Sequence, residues 1–258
     1  MNLTVLGTDI EGDSARQISQ MEDRIAQGDD AIIFAAQDTK ALIPTVELAN
    51  AAGIPVIAVD KTTEGGKVES VIMTDNVAAG AIGARWVAEQ IGGKGTVLVL
   101  EGVPGNQTAD DRKTGAHMAL AEYPGIEVIS LAADWQTSKG QAVTEDVLTA
   151  HPDLAGVFGS NDLMAMGAQA AAAAQGLDIP ICGFDAIDAA LEMVADGRLG
   201  ATVAQYSGRM GFLGVEYAVR AIEGQEVPEF VDTGAMLVDK NLVNAFKVGL
   251  YGNYVCNP

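Results

Sequence analysis

Positive charge is scarce in this chain. There are 15 Lys and Arg against 35 Asp and Glu, a formal net charge of −20. Such a surface repels phosphate backbones, and no basic stripe offsets it, so no nucleic-acid partner is expected. The acidity reads as a means of staying soluble. Histidine and cysteine are equally scarce, two of each. His117, His151, Cys182 and Cys256 show no CxxC or paired-ligand spacing, so no metal site and no cofactor are expected. Long apolar runs are missing: AIIFAA and TVLVL are far too short to cross a bilayer. No charged-then-apolar segment opens the chain, so an export signal is expected to lie outside it. Catalytic motifs are missing as well. There is no GxSxG elbow and no GxGxxG. GGKGT at 92–96 lacks a Ser or Thr directly after its Lys, and it joins a helix to a strand, the reverse of a phosphate loop. No catalytic residues are expected.

What is present is a rhythm. Hydrophobic residues make up 48% of 258 positions, enough for two modest lobes, each with a core. Short apolar strands alternate with helical periodicity almost throughout. NLTVLGT, DAIIFAA, PVIAVD, SVIM, TVLVL, IEVISLA, AGVFG, IPICGF and ATVAQ read as strands. Helices are expected over 13–27, 39–53, 77–91, 108–122, 138–150, 162–175, 186–196 and 208–223. Strands apolar on both faces and separated by helices imply parallel sheets covered on both sides. The fold class is therefore α/β, doubly wound, and the number of βα units favours two lobes over one.

Ligands of parallel sheets bind beyond the carboxyl ends of the strands. Asp60, Trp135, Asn161, Asp185 and Gln205 all stand at such places. Each also admits an ordinary role. Asp60 could hold the turn after its strand, Trp135 could be core, and Asn161 and Asp185 could cap helices. Arg112, at a helix start, could pair with Asp110 or Asp111. Cys182 lies in an apparent buried strand, where a small core residue is the ordinary reading, with a disulfide to Cys256 left open.

Read in order, VIAVDK, TDN at 74–76, GNQTADDRKTG, AADWQTSKG, FGSNDLMAMGA, CGFDAIDA, ATVAQ and VDTGAMLV resemble the periplasmic sugar-binding family typified by the ribose binder, the type I solute-binding fold. The resemblance runs from about residue 2 to about residue 240. It implies two doubly wound lobes joined by a three-crossing hinge near Thr74–Asp75, Gln205–Tyr206 and Asp232–Gly234. Lobe 1 would take residues 1–74 and 206–232, and lobe 2 residues 75–205 and 233–244. The family's sugar contacts fall on Asp60, Arg112, Trp135, Asn161, Asp185 and Gln205, with Lys61 where the ribose binder has Arg. These types suit a sugar: carboxylates accept from hydroxyls, Arg donates, Asn and Gln do both, and Trp covers a C–H face. Lysine lacks the planar fork of arginine, which weakens that one contact. Taken singly, capping is the better account of Asn161. In family order, ligand contact is the better account of most.

Two departures stand out. The family opens with one more strand and helix before the segment matching NLTVLGT, and Ala35 falls where the ribose binder uses Asn. Either lobe 1 is incomplete in this chain, or the tail FKVGLYGNYVCNP supplies the strand at 246–252, with residues 245–258 joining lobe 1. The function implied is capture of a monosaccharide or polyol by hinge closure, for delivery to the permease subunits of an ABC importer. A monomer outside the cytoplasm is expected, and not an enzyme. The alternative is the ligand-sensing domain of a sugar-responsive transcription regulator, which would need a helix-turn-helix segment that this sequence does not contain.

Overall fold

The computed structural model describes residues 2–8 and 12–247. They fall into two compact units, described in turn. In chain order the first unit holds α1 (Ser14–Gln27), β1 (Ile32–Phe34), α2 (Ile43–Ala51), β2 (Val56–Val59) and β3 (Ser70–Met73). The chain then builds the second unit with α3 (Asn76–Gln90), β4 (Lys94–Glu101), α4 (Gln107–Leu120), β5 (Gly125–Ala132), α5 (Thr137–Ala150), β6 (Leu154–Gly159), α6 (Asp162–Ala174), β7 (Ile181–Asp185), α7 (Asp188–Asp196) and β8 (Ala201–Gln205). It returns to the first unit for α8 (Ser207–Ile222) and β9 (Phe230–Asp232). It re-enters the second for β10 (Ala235–Asp239) and α9 (Val243–Lys247).

The second unit is a six-stranded sheet in the order β10-β8-β7-β6-β4-β5. Its strands are parallel except for β10, which runs antiparallel to β8. Strand β4 shows why both faces are covered. Val97 and Val99 pack with α3 and α4 residues such as Ala84, Val87, Ala116 and Leu120. Leu98 and Leu100 point the other way, into a core with Leu148, Met164, Ala168 and Leu191 of α5, α6 and α7. Period-two alternation between two apolar layers is what a doubly wound strand requires.

Small residues let the helices close in. A Cβ on Gly80 of α3 would run into the backbone of Arg112, and one on Gly115 of α4 into the carbonyl of Val77. This backbone contact seats α4, and with it Arg112, against α3.

The first unit repeats the layering on a smaller scale. Its described strands run β1-β2-β3-β9, all parallel. Val56 and Ala58 of β2 face a core with Leu42, Val46 and Met21. Ile57 faces Met210, Tyr217 and Ala218 of α8.

Two expectations change. NLTVLGT forms no strand, and Leu3, Val5 and Leu6 are 62%, 83% and 50% exposed. Composition supplies apolar and β-branched residues, but a strand exists only where a neighbour pairs with it. Among the described residues β1 lies at one edge of its sheet, and no strand pairs with residues 2–8. At the other end, Phe246 and Lys247 are helical, the last turn of α9, with Phe246 buried in the second unit's core. A strand over 246–252 therefore does not begin there. Residues 248–258, including Cys256, lie outside the described residues. Strands β9 and β10 and helix α9 were not foreseen as elements.

Candidate functional site

The strand ends of the second unit carry a polar array. Arg112, on the second turn of α4, is buried at 4% exposure. The helix starts where it does because the Asn106 side chain accepts from Ala109 N. The guanidinium donates through Nε to Asn76 Oδ1 at 3.0 Å, and through Nη1 to the Ser160 carbonyl at 2.8 Å and to Asp185 Oδ1 at 3.2 Å. Its plane lies over the Phe184 ring, 3.6 Å from the centroid, with the Trp135 ring at 5.7 Å. A buried cation is tolerable only when paired and hydrogen-bonded, and this one is both. Asp110 and Asp111, the alternative partners, turn instead to Lys113 and Gln107.

Asp185 ends β7. Its Oδ1 also accepts from Gln205 Nε2 at 2.8 Å. That bond sets which end of the Gln205 amide is which, and leaves Gln205 Oε1 buried with no hydrogen-bond partner in the described structure. Ser160 Oγ, fully buried one residue past β6, is in the same state. Buried polar atoms without partners are rare in native proteins, and these two belong to the strand ends that bond the Arg112–Asp185 pair.

Trp135 sits on the turn after β5. Its ring takes the space a side chain at position 102 would need, so Gly102 is glycine for steric reasons. Asn161 fixes it from behind: Nδ2 donates to the Trp135 carbonyl at 3.3 Å, while Oδ1 accepts from Met164 N and caps α6. Asn161 thus does the capping that its position alone favoured. Asp185 does not cap; the cap position of α7 is Ile187.

Asp60 and Lys61 belong to the first unit. Asp60 follows β2 and donates its backbone N–H to Ile72 O at 2.9 Å. The Lys61 carbonyl accepts from Ala36 N at 3.0 Å, which ties this turn to the one after β1. Gln17 of α1 completes the tie: Nε2 donates to Ala35 O and Oε1 accepts from Gln37 N, each at 2.8 Å.

Backbone conformation singles out the same places. Among the described residues, left-handed φ values at non-glycine positions occur only at Asp60 (62°), Asp134 (50°), Trp135 (64°), Asp185 (108°) and Ala186 (57°). All lie at the carboxyl ends of β2, β5 and β7. Each such residue costs about 1–2 kcal/mol, and strain of this kind concentrates at functional sites.

Sequence reading singled out Arg112, Trp135, Asn161, Asp185 and Gln205, which the structure gathers in one unit. It placed no role on Asn76, Ser160, Asp162, Phe184 or Thr202. Thr202 had a signal of its own, a polar residue inside the apolar strand run ATVA; Asp162, next to Asn161 at a helix start, had none. Burial pushes the Asp162 carboxyl up to about 7, partly offset by hydrogen bonds from Thr202 and Ile187 N, with the charge of Asp185 adding to the rise. The Cys182 thiol is raised by burial and then by the Asp162 charge.

The comparisons with known proteins agree with this arrangement. Residues 2–226 match the periplasmic binding protein domain family. The ribose import binding protein RbsB of Bacillus subtilis is 38% identical over 229 residues, covering 89% of this chain and 75% of that protein. The D-allose-binding periplasmic protein of Escherichia coli is 31% identical, covering 92% and 82%. Among solved structures, a periplasmic solute-binding protein of an ABC transporter from Actinobacillus succinogenes, with bound D-allose, superposes with a TM-score of 0.90 at 34% identity, covering 95% of this chain and 88% of that one. A solute-binding protein from Bacillus halodurans with bound myo-inositol gives 0.85 at 30%, covering 92% and 84%. With its doubly wound parallel sheets and its polar strand ends, the chain belongs to the periplasmic binding protein family.

Proposed function

We propose that this chain is the solute-binding protein of an ABC importer, capturing a monosaccharide or polyol and passing it to permease subunits in the membrane. The observation that carries the reading is the array of Arg112, Asp185 and Gln205, in which one buried amide oxygen waits for a donor. A sugar hydroxyl donates and accepts at once, and it answers such a mixed set better than an apolar or purely anionic ligand does. Trp135 covers a C–H face of the ring. Asn161 supports Trp135 and adds its amide at the same strand end. Asp60 and Lys61 contribute from the first unit. Relatives named for ribose and allose, and a neighbour with bound D-allose, support the ligand class.

The mechanism involves no chemistry. By the family resemblance it is lobe closure, with the crossings near 74–75, 205–206 and 232–234 as hinge and the two compact units as lobes. The protein acts as a monomer, and it does so in the periplasm or another extracytoplasmic space, a location that the family description and the name of a relative support.

The test is a thermal-shift panel of pentoses, hexoses and polyols. A sugar at 100 times its Kd adds about 2.7 kcal/mol, or roughly 5–10 °C for a chain of this size. Absence of a shift with every member of the panel, on folded protein, would refute the reading.

A further inference from the structure

The carboxylate at the centre of the proposed site stands on an awkward stretch of backbone. Asp185 and Ala186 are consecutive left-handed residues, and neither is glycine. Something has to over-determine the turn, or it would relax and carry the Asp185 side chain away from Arg112 and Gln205.

Two buried side chains hold it. Thr202, on β8 and fully buried, accepts from Ala186 N at 3.2 Å and donates through Oγ1 to Asp162 Oδ1 at 2.7 Å. Asp162, 1% exposed at the start of α6, accepts from Ile187 N through Oδ2 at 2.9 Å. The two peptide N–H groups after Asp185 are thus pinned from two different elements, α6 and β8. Position 183 of β7 completes the fit. A Cβ there would strike Asp162 Oδ1, so only glycine leaves the carboxylate its place. Neither Asp162 nor Thr202 bonds the Asp185 carboxylate itself. What they fix is the direction in which the backbone presents it.

We infer that Asp162 and Thr202 are positioning residues of the sugar site, a buried clamp that locks the left-handed turn aiming Asp185 at the ligand. The inference rests on the proposed function for the word sugar and on geometry alone for the clamp. An apolar pair would fill the same space without burying a carboxyl that burial pushes up to about 7, so packing by itself does not account for these residue types.

The experiment uses the whole chain and two readouts. Thr202→Val keeps the shape and removes the hydroxyl; Thr202→Ser keeps the hydroxyl. Amide exchange at Ala186 and Ile187, read without ligand, reports the clamp. Titration calorimetry with D-ribose and D-allose reports the site. Thr202→Val is expected to exchange at least tenfold faster at Ala186 and to bind at least tenfold more weakly. Thr202→Ser is expected to stay within about threefold of wild type on both. Should the valine variant not fold, Thr202→Ala replaces it with the same expectation. Wild-type exchange and affinity in the hydroxyl-free variant, or a serine variant as impaired as the valine one, would overturn the inference. If the wild-type protein binds no sugar of the panel, the functional reading fails separately, and the exchange result still judges the clamp.

Discussion

The strand ends of the two units are held in different ways. In the second unit the turn after β7 is aimed by side chains: Asp162 and Thr202 pin it from below, and Arg112 and Gln205 bond its carboxylate. In the first unit the turn after β2 is aimed by backbone, through Asp60 N to Ile72 O and Ala36 N to the Lys61 carbonyl, with Gln17 tying down the neighbouring loop. Buried side-chain networks are specific and costly to disturb. Backbone ties tolerate substitution at the side chains they carry. Substitutions within the second unit's network are therefore expected to cost more than side-chain changes on the first unit's backbone-tied turn.

The largest effect is expected from Arg112→Ala. It takes the guanidinium away from Asp185, which keeps the bond from Gln205, and removes the bond to the Ser160 carbonyl. The Arg112 side chain is buried but that of Asp185 is 31% exposed, so losing the pair is expected to cost about 1–3 kcal/mol, and a lower melting temperature and a loss of sugar affinity beyond a hundredfold should appear together in calorimetry. A variant that bound sugar normally would place the site elsewhere.

Asp162→Asn comes next, and it is a pH experiment. The folded carboxyl titrates at about 7, above its ordinary value of 3.8. A raised folded value means that its contribution to stability is fully present below about pH 4 and is lost as pH rises through 7. The charged groups around it are Asp185, which raises it, Arg112 beyond Asp185, and the Cys182 thiol of β7. Asparagine does not titrate. Relative to wild type the variant should therefore gain stability between pH 4 and 8, by roughly 4 kcal/mol at most. Denaturant midpoints across that range measure the difference. A constant difference would mean that Asp162 does not titrate there.

The smallest effects separate the two units. Asp60→Gly relieves a left-handed residue and removes a proposed ligand group, so the unliganded protein should gain about 0.5–1 kcal/mol while affinity falls about tenfold. Ala186→Gly relieves strain of the same kind inside the clamp without touching a ligand group, so its gain should be similar and affinity should change by no more than about threefold. Equal losses of affinity in the two would erase the distinction drawn between the units.

Much of this was legible in the sequence, for identifiable reasons. TVLVL is apolar at every position after Thr96, and a strand covered on both faces uses such a run, which is what β4 proves to be. Asp185 and Gln205 were marked by their places at strand ends, but Arg112 was legible only through a family resemblance, since a salt bridge across 73 residues leaves no local pattern. Asp162 and Thr202 carried no role in the sequence reading. Their roles depend on a turn contributed by a third element. NLTVLGT misled because strand composition is a local property, whereas pairing depends on a neighbour. The motif VDTGAMLV, at 231–238, gave no sign of the antiparallel strand and short helix that follow Gly234, because both breach the βα rhythm.

The most direct test of the central claim is calorimetric titration of D-ribose and D-allose into wild type and into Asp185→Asn, with melting temperatures recorded alongside. The account expects wild type to bind at least one of them, and the variant to lose at least a hundredfold in affinity while melting within a few degrees of wild type. Unchanged affinity in the folded variant would contradict it.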